Sequence, residues 1–198
     1  MSLREDRKRE KRDRILTAAR ELFDAHGFHG TSTRAIAERA GVGTGTVFVY
    51  FPDKRDLLLR LFYDTIEPAF AEALATMPDA DVVDRLVHVC CAFLSAYAPR
   101  PRLAREFVKQ LLFLEGDARD EYAALNARFF AFVVAELARG QRTLREGVDP
   151  MDAGRAVFAW YGLVIVEWLG GDRPVVADGA ARLRRGFTLV LDGLVTPS

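Results

Sequence analysis

Residues 31–56 read TSTRAIAERAGVGTGTVFVYFPDKRD, and this stretch decides the fold. From Thr33 to Tyr50 it has the pattern of a helix-turn-helix, and the PDK that follows marks the start of a further helix. Ala37 is small where two helices must cross closely. Gly41 stands four residues later, where the turn needs a residue tolerant of positive φ. Ile36, Ala40, Val42 and Val47 are the apolar positions that hold such a pair against a supporting helix. Thr44, Gly45, Thr46, Phe48 and Tyr50 are then left on the second helix, mostly free to enter a DNA major groove. The pattern predicts a chain that binds operator DNA.

Working outward, apolar periodicity predicts helices for almost the whole chain. The first carries Ile15, Leu16, Ala19, Leu22 and Phe23 on one face. It is expected to end at His26, with Gly27 in a left-handed position and Phe28 folding back on Phe23 in a Schellman arrangement. Ser32 or Thr31 caps the second helix, which ends near Ala40, and the third spans about Thr44 to Tyr50. Asp53 caps a fourth, with Pro68 inside it, that reaches about Met77. Five more are expected: about Val82 to Ala98; Leu103 to Leu114, followed by a turn at Gly116; Ala118 to Leu137 or beyond, with Gly140 and Gly147 weakening its end; from after Pro150 to a stop at Gly170-Gly171; and from near Pro174 to about Val195. The fold class is therefore all-α, with nine helices. A three-helix helix-turn-helix head over residues 1–53 is followed by a helical bundle over 54–198.

Composition agrees with this division. The 198 residues balance 28 Lys+Arg against 28 Asp+Glu, which excludes a bulk basic protein held on nucleic acid by charge alone. Residues 1–60 carry 13 basic and 9 acidic side chains, a balance of +4, so the remainder balances at −4. A mildly basic head on a mildly acidic body suits DNA binding by one end. The basic run from Arg4 to Arg14 is interleaved with Glu5, Asp6, Glu10 and Asp13, and reads as a solvated helix start with i,i+4 charge pairs. Cys90 and Cys91 are adjacent, where a bridge would be strained, so a reducing cytoplasm is expected. The opening MSLREDRKREKRDR lacks the apolar core of a signal peptide, and the uncharged stretch Ala156 to Val166 falls far short of the roughly 20 residues of a membrane span.

Three segments, ILTAARELF, HGFHGTSTRAIAERAGV and GTVFVYFPDKRDLL, together resemble the N-terminal domain of the TetR family of one-component transcriptional repressors. The resemblance covers residues 12 to 62, about a quarter of the chain. It implies that Thr33 and Arg34, at a helix start, face the phosphate backbone, where free N–H groups and the dipole favour anions. Thr44 stands where the family often has lysine. Gly45 would let the backbone approach DNA closely, and Thr46 would reach a phosphate or a thymine methyl. Phe48 and Val49 replace a frequent tyrosine and histidine and could instead be core. Tyr50 and Lys54 match the family and would bind phosphates. The resemblance also implies a homodimer, a small-molecule effector bound in the body, and repression relieved by that effector; an activating or effector-free role stays open.

In the body, Phe93, Tyr97, Phe107, Phe113, Tyr122, Phe129, Phe130 and Phe132 form an aromatic-rich region that is either ordinary core or the frame of a cavity. The expected ligand walls are Phe93, Tyr97, Phe107, Gln110, Asn126, Phe129 and Phe130, closed on one side by Trp160, for an apolar or aromatic molecule rather than a phosphorylated metabolite. The eighth helix, AVFAWYGLVIVEWL, is apolar nearly all round. The ninth carries Leu183, Phe187, Val190, Leu191 and Leu194, with Gly186 and Ala180 permitting close approach. Both are expected to form a two-fold, four-helix dimer interface. His88, Cys90 and Cys91 lack a second cluster to complete a metal site, and no metal or cofactor is expected. The chain has no P-loop, GxGxxG, HExxH or GxSxG, so no enzyme is expected. A helical adaptor for other proteins would explain the bundle but leaves residues 31–56 unexplained.

Overall fold

A computed structural model describes residues 3–111, 117–139, 144–171 and 173–194. The expectations for Leu114, Gly116, Phe113, Gly140 and Val195 lie outside these residues, as does the side chain of Leu194. Among the described residues there are nine α-helices: α1 (Leu3–Gly30), α2 (Thr33–Ala40), α3 (Thr44–Tyr50), α4 (Lys54–Ala75), α5 (Val82–Tyr97), α6 (Pro101–Leu111), α7 (Asp117–Arg139), α8 (Pro150–Gly170) and α9 (Val176–Leu194). None of them is by itself long and apolar enough to cross a membrane.

The chain forms two compact packing units, residues 1–64 with 102–118, and residues 65–101 with 119–198. This partition differs from the functional division expected at residue 53/54. The first turns of α4 are drawn to the head by Leu57 and Leu58, both fully buried. Most of α6 joins the same unit, where Phe107 stacks on Phe62 with centroids 4.5 Å apart.

In the first unit, α1 bends at Gly27, with φ 72 and ψ 171. That conformation is essentially restricted to glycine, but it lies outside the left-handed helical well, so the expected Schellman geometry is not formed. Phe28 nonetheless folds back on Phe23, ring centroids 5.6 Å apart. The buried Thr31 hydroxyl lies within hydrogen-bonding reach of the Gly27 and Leu22 carbonyls, at 2.9 and 3.1 Å, and so fastens the end of α1. Ser32 is the residue that caps α2, accepting from the Ala35 N–H.

In the second unit, α9 packs on α5 and α8 through Leu183, Phe187 and Leu191, all fully buried. Glycines allow the closest approaches. A Cβ at Gly154 would stand 2.9 Å from Val134, and one at Gly186 would stand 1.5 Å from Nε1 of Trp160. Gly186 therefore accommodates an indole of its own chain, whereas close approach to a partner was expected of it. The Arg85 guanidinium pairs in two places with the buried Glu136, at 2.5 and 2.9 Å, and also donates to the Pro78 carbonyl at 2.7 Å.

Candidate DNA-reading face and body cluster

The head begins with a scaffold that fixes α2 and α3. Ile36, Ala37, Ala40 and Val47 are buried, as their spacing predicted. Gly41 adopts φ 64 and ψ 41, and its N–H reaches back to the carbonyl of Glu38. Val42 N–H completes the turn on the Ala37 carbonyl. Arg14 of α1 donates from Nη2 to the Ala40 and Gly41 carbonyls, and so satisfies the acceptors that the end of α2 leaves open. A Cβ at Gly41 would meet that same Nη2 at 2.7 Å, so a side chain there would displace the tip of Arg14, and the positive φ is what calls for glycine.

On this scaffold α3 turns an apolar surface to solvent. Phe48 is 50% exposed and Val49 is 78% exposed. Neither is a core residue of this chain, which removes the alternative that the sequence left open. Thr44 and Gly45 are exposed, Thr46 and Tyr50 half-buried. A Cβ at Gly45 would meet nothing within 4 Å, so the glycine leaves open space on the outer side of the helix. Thr33 is half-buried at the start of α2. Arg34 is exposed and pairs through Nε with its own Glu38 at 3.0 Å. An exposed pair of this kind is worth little, so it does not hold the guanidinium in place.

Lys54 stands otherwise than expected. Its ammonium donates to the carbonyls of Phe28 and Thr31, at 2.7 and 2.8 Å, and lies 4.4 Å from the centroid of the Phe28 ring. The charge is engaged within the head, because the start of α4 passes directly beside the α1–α2 turn. The neighbouring Asp53 caps α4 by accepting from the Arg55 and Asp56 N–H groups. Burial pushes the Asp53 carboxyl up, but bonds from the Arg55 side chain and these N–H groups hold it below its ordinary value.

The residues expected to line a ligand site divide between the two packing units. Phe107, fully buried, and Gln110, half-buried, lie on α6 in the first. In the second, Phe93 and Phe129 meet edge to face at 5.2 Å. Phe70, Phe132, Phe158 and Tyr161 complete a cluster around them. Tyr97 is buried and hydrogen-bonded to Tyr161, and burial raises both phenols above their ordinary values. Phe130 packs beside Gly154. Two expectations need correction. Asn126 is exposed, because the inward face of α7 is set by Tyr122, Leu125, Phe129 and Val133, and residue 126 lies about 100° beyond 125. Trp160 sits on Gly186 of α9 and closes that helix contact, away from the role of a cavity wall. Phe70, Phe158 and Tyr161 were missed. Tyr161, four residues after Val157 on the buried face of α8, carried a periodic signal that could have revealed it.

His88 places Nε2 3.2 Å from the Ala73 carbonyl and 3.3 Å from the Thr76 hydroxyl, and so ties α5 to α4. Cys90 is fully buried, and desolvation pushes its thiol well up. No group of three or more His, Cys, Asp or Glu converges among the described residues.

Comparison with known proteins agrees with this fold. Residues 15–61 match the family model for bacterial regulatory proteins, tetR family. Over 96% of its length the chain is 27% identical to the HTH-type transcriptional repressor KstR of Rhodococcus jostii strain RHA1, spanning 87% of that protein. Thermus thermophilus FadR, a TetR-family transcriptional repressor solved in complex with lauroyl-CoA, is similar at a TM-score of 0.73 and 27% identity, over 94% of this chain and 96% of that one. Bacillus subtilis FadR in complex with stearoyl-CoA shares the fold, with a TM-score of 0.69 at 23% identity over 91% and 98%.

Proposed function

The chain belongs to the TetR family of DNA-binding transcriptional regulators, and on that premise we propose that it is a repressor released from its operator by a ligand with a long apolar group. It is a regulator and not an enzyme. The observation that carries the DNA reading is the outward apolar face of α3, where Phe48 and Val49 are exposed beside the open space at Gly45. In this reading Phe48 contacts base edges, with Thr44, Gly45 and Thr46 close to the duplex. Thr33, Arg34 and Tyr50 hold phosphates and set the register.

The body supplies the ligand side. The likeness to a FadR that binds lauroyl-CoA favours an acyl-CoA thioester as the class of effector. This revises the expectation of an unphosphorylated molecule, since coenzyme A carries phosphates. Phe93, Tyr97, Phe129 and Phe130, joined by Phe70 and Tyr161, would meet the acyl chain. The ligand must favour one arrangement of α4 over another, because only differential affinity shifts an equilibrium. Two heads in a dimer would then leave the spacing of successive major grooves, roughly 34 Å. The dimer would form through α8 and α9, which leave Leu163, Val166 and Leu189 exposed. A cytoplasmic location accords with this role.

The test is fluorescence anisotropy with the duplex upstream of the chain's own gene, titrated with lauroyl-CoA. Affinity for DNA should fall by about 5- to 150-fold, the usual span of allosteric coupling. A chain that prefers no sequence would refute the DNA reading. The mutual contact of Phe93 and Phe129 favours a second reading, a filled core and a regulator without an effector. Unchanged operator affinity across acyl-CoAs of several chain lengths would refute the acyl-CoA effector and favour that second reading.

A further inference from the structure

Lys54 matches a position to which the family resemblance gives a phosphate contact, and the structure places its ammonium against protein. Three observations bear on it. Its Nζ donates to two backbone carbonyls 26 and 23 residues earlier in the chain, at 2.7 and 2.8 Å. The charge also lies 4.4 Å from the centroid of the buried Phe28 ring, an attraction additional to the hydrogen bonds. Finally, Lys54 is the first residue of α4, while its acceptors flank the Gly30–Thr31 junction that leads into the Ser32 cap of α2.

We propose that Lys54 is a positioning residue: its ammonium latches the first turn of α4 to the α1–α2 turn and thereby holds α2, and with it the α2–α3 pair, in DNA-reading register. This rests on the DNA-binding function above. The chemistry explains why lysine suits the position. Phe28 lies in the last turn of α1, whose carbonyls carry partial negative charge, and Thr31 lies in the link between α1 and α2. A compact ammonium can direct separate N–H groups to two such acceptors. Arginine preserves the charge but is longer and planar, so at position 54 its N–H groups would fall away from the point where the ammonium bonds both carbonyls. Arg14 holds the other end of α2 through the Ala40 and Gly41 carbonyls, so cations from α1 and α4 fix both turns of the reading motif.

A latch and a phosphate ligand predict different binding curves. The full-length chain and its Lys54→Met and Lys54→Arg variants are titrated, across a salt series, against a duplex recovered by wild-type binding-site selection and against a scrambled duplex of equal length. For a latch, Lys54→Met lowers affinity for the selected duplex by about tenfold, the order expected from lost bonds to a charged group. Affinity for the scrambled duplex and the salt slope stay at their wild-type values, and Lys54→Arg fails to restore the selected site. The proposal is overturned if both duplexes weaken alike, the slope becomes shallower by about one, and arginine restores binding, since that is the behaviour of a phosphate contact. It is also overturned if the variants melt earlier yet bind both duplexes as wild type per folded molecule. A wild-type chain that does not prefer its selected duplex refutes the DNA-reading function itself.

Discussion

Gly186→Ala adds one methyl group at the tightest contact in the second packing unit. The new Cβ would lie 1.5 Å from Nε1 and 1.8 Å from Cε2 of Trp160, far inside contact distance. Two effects oppose one another. Replacing glycine by alanine inside a helix is worth roughly 0.5–1 kcal/mol in favour of the variant. Overpacking a filled site costs typically about 1–3 kcal/mol, and an overlap this deep belongs at the upper end. The Trp160 indole must swing away or α9 must shift from α8. The net expectation is a loss of about 2 kcal/mol. For a chain of this length that lowers the melting temperature by roughly 4–8 °C. The assay is thermal and urea unfolding at fixed protein concentration, repeated in a Trp160→Leu background. There the methyl group has room and the helix term alone remains, so Gly186→Ala should become neutral or stabilising. If Gly186→Ala is as stable as wild type, or is equally harmful without the indole, the packing argument is wrong.

Three further outcomes are expected. Phe48→Ala should change the sequence preference recovered by binding-site selection, and an unaltered motif would refute base contact by Phe48. Glu136→Gln breaks a buried pair and leaves the Arg85 charge uncompensated, so denaturant unfolding should report a loss of about 3 kcal/mol. The hydrogen bond from Arg85 holds the Glu136 carboxyl below its ordinary value, so its contribution is complete above the usual carboxylate range and disappears as pH falls through the lowered one; the variant should lack that acid limb. Val166→Glu should convert the chain to a folded monomer in sedimentation at micromolar concentration, and a persistent dimer would move the interface away from α8.

Much of the head was legible in the sequence because its signals are local. The bounds of α3, the caps at Ser32 and Asp53, and the positive φ at Gly41 depend on residue types within a few positions of one another. Lys54 shows where such reading stops. Its partners are backbone carbonyls, which every residue possesses, so nothing in the sequence announces them. Asn126 illustrates a second limit. Periodicity locates a helical face only to about one residue, and one residue is a 100° rotation, enough to carry a side chain from the core to solvent. Trp160 and Gly186 lie on different helices, and as separate residues they suited the expected ligand wall and the expected dimer interface. Only the packed pair reveals that each is the other's partner.

The empty space at Gly45 bears on how this protein can change. Because a Cβ there meets nothing within 4 Å, alanine fits the free protein and would favour the helix by roughly 0.5–1 kcal/mol. Folding therefore does not require glycine at position 45 for space, and a preference for glycine there would report the demands of the nucleic acid. In a library randomised at 45 and sorted first for folding, then for operator binding, the first sort should leave the residue distribution broad and the second should narrow it. At Gly41, where the positive φ disfavours an L side chain, the first sort should already enrich glycine. Two glycines four residues apart thus evolve under different masters, one under the fold and one under the operator.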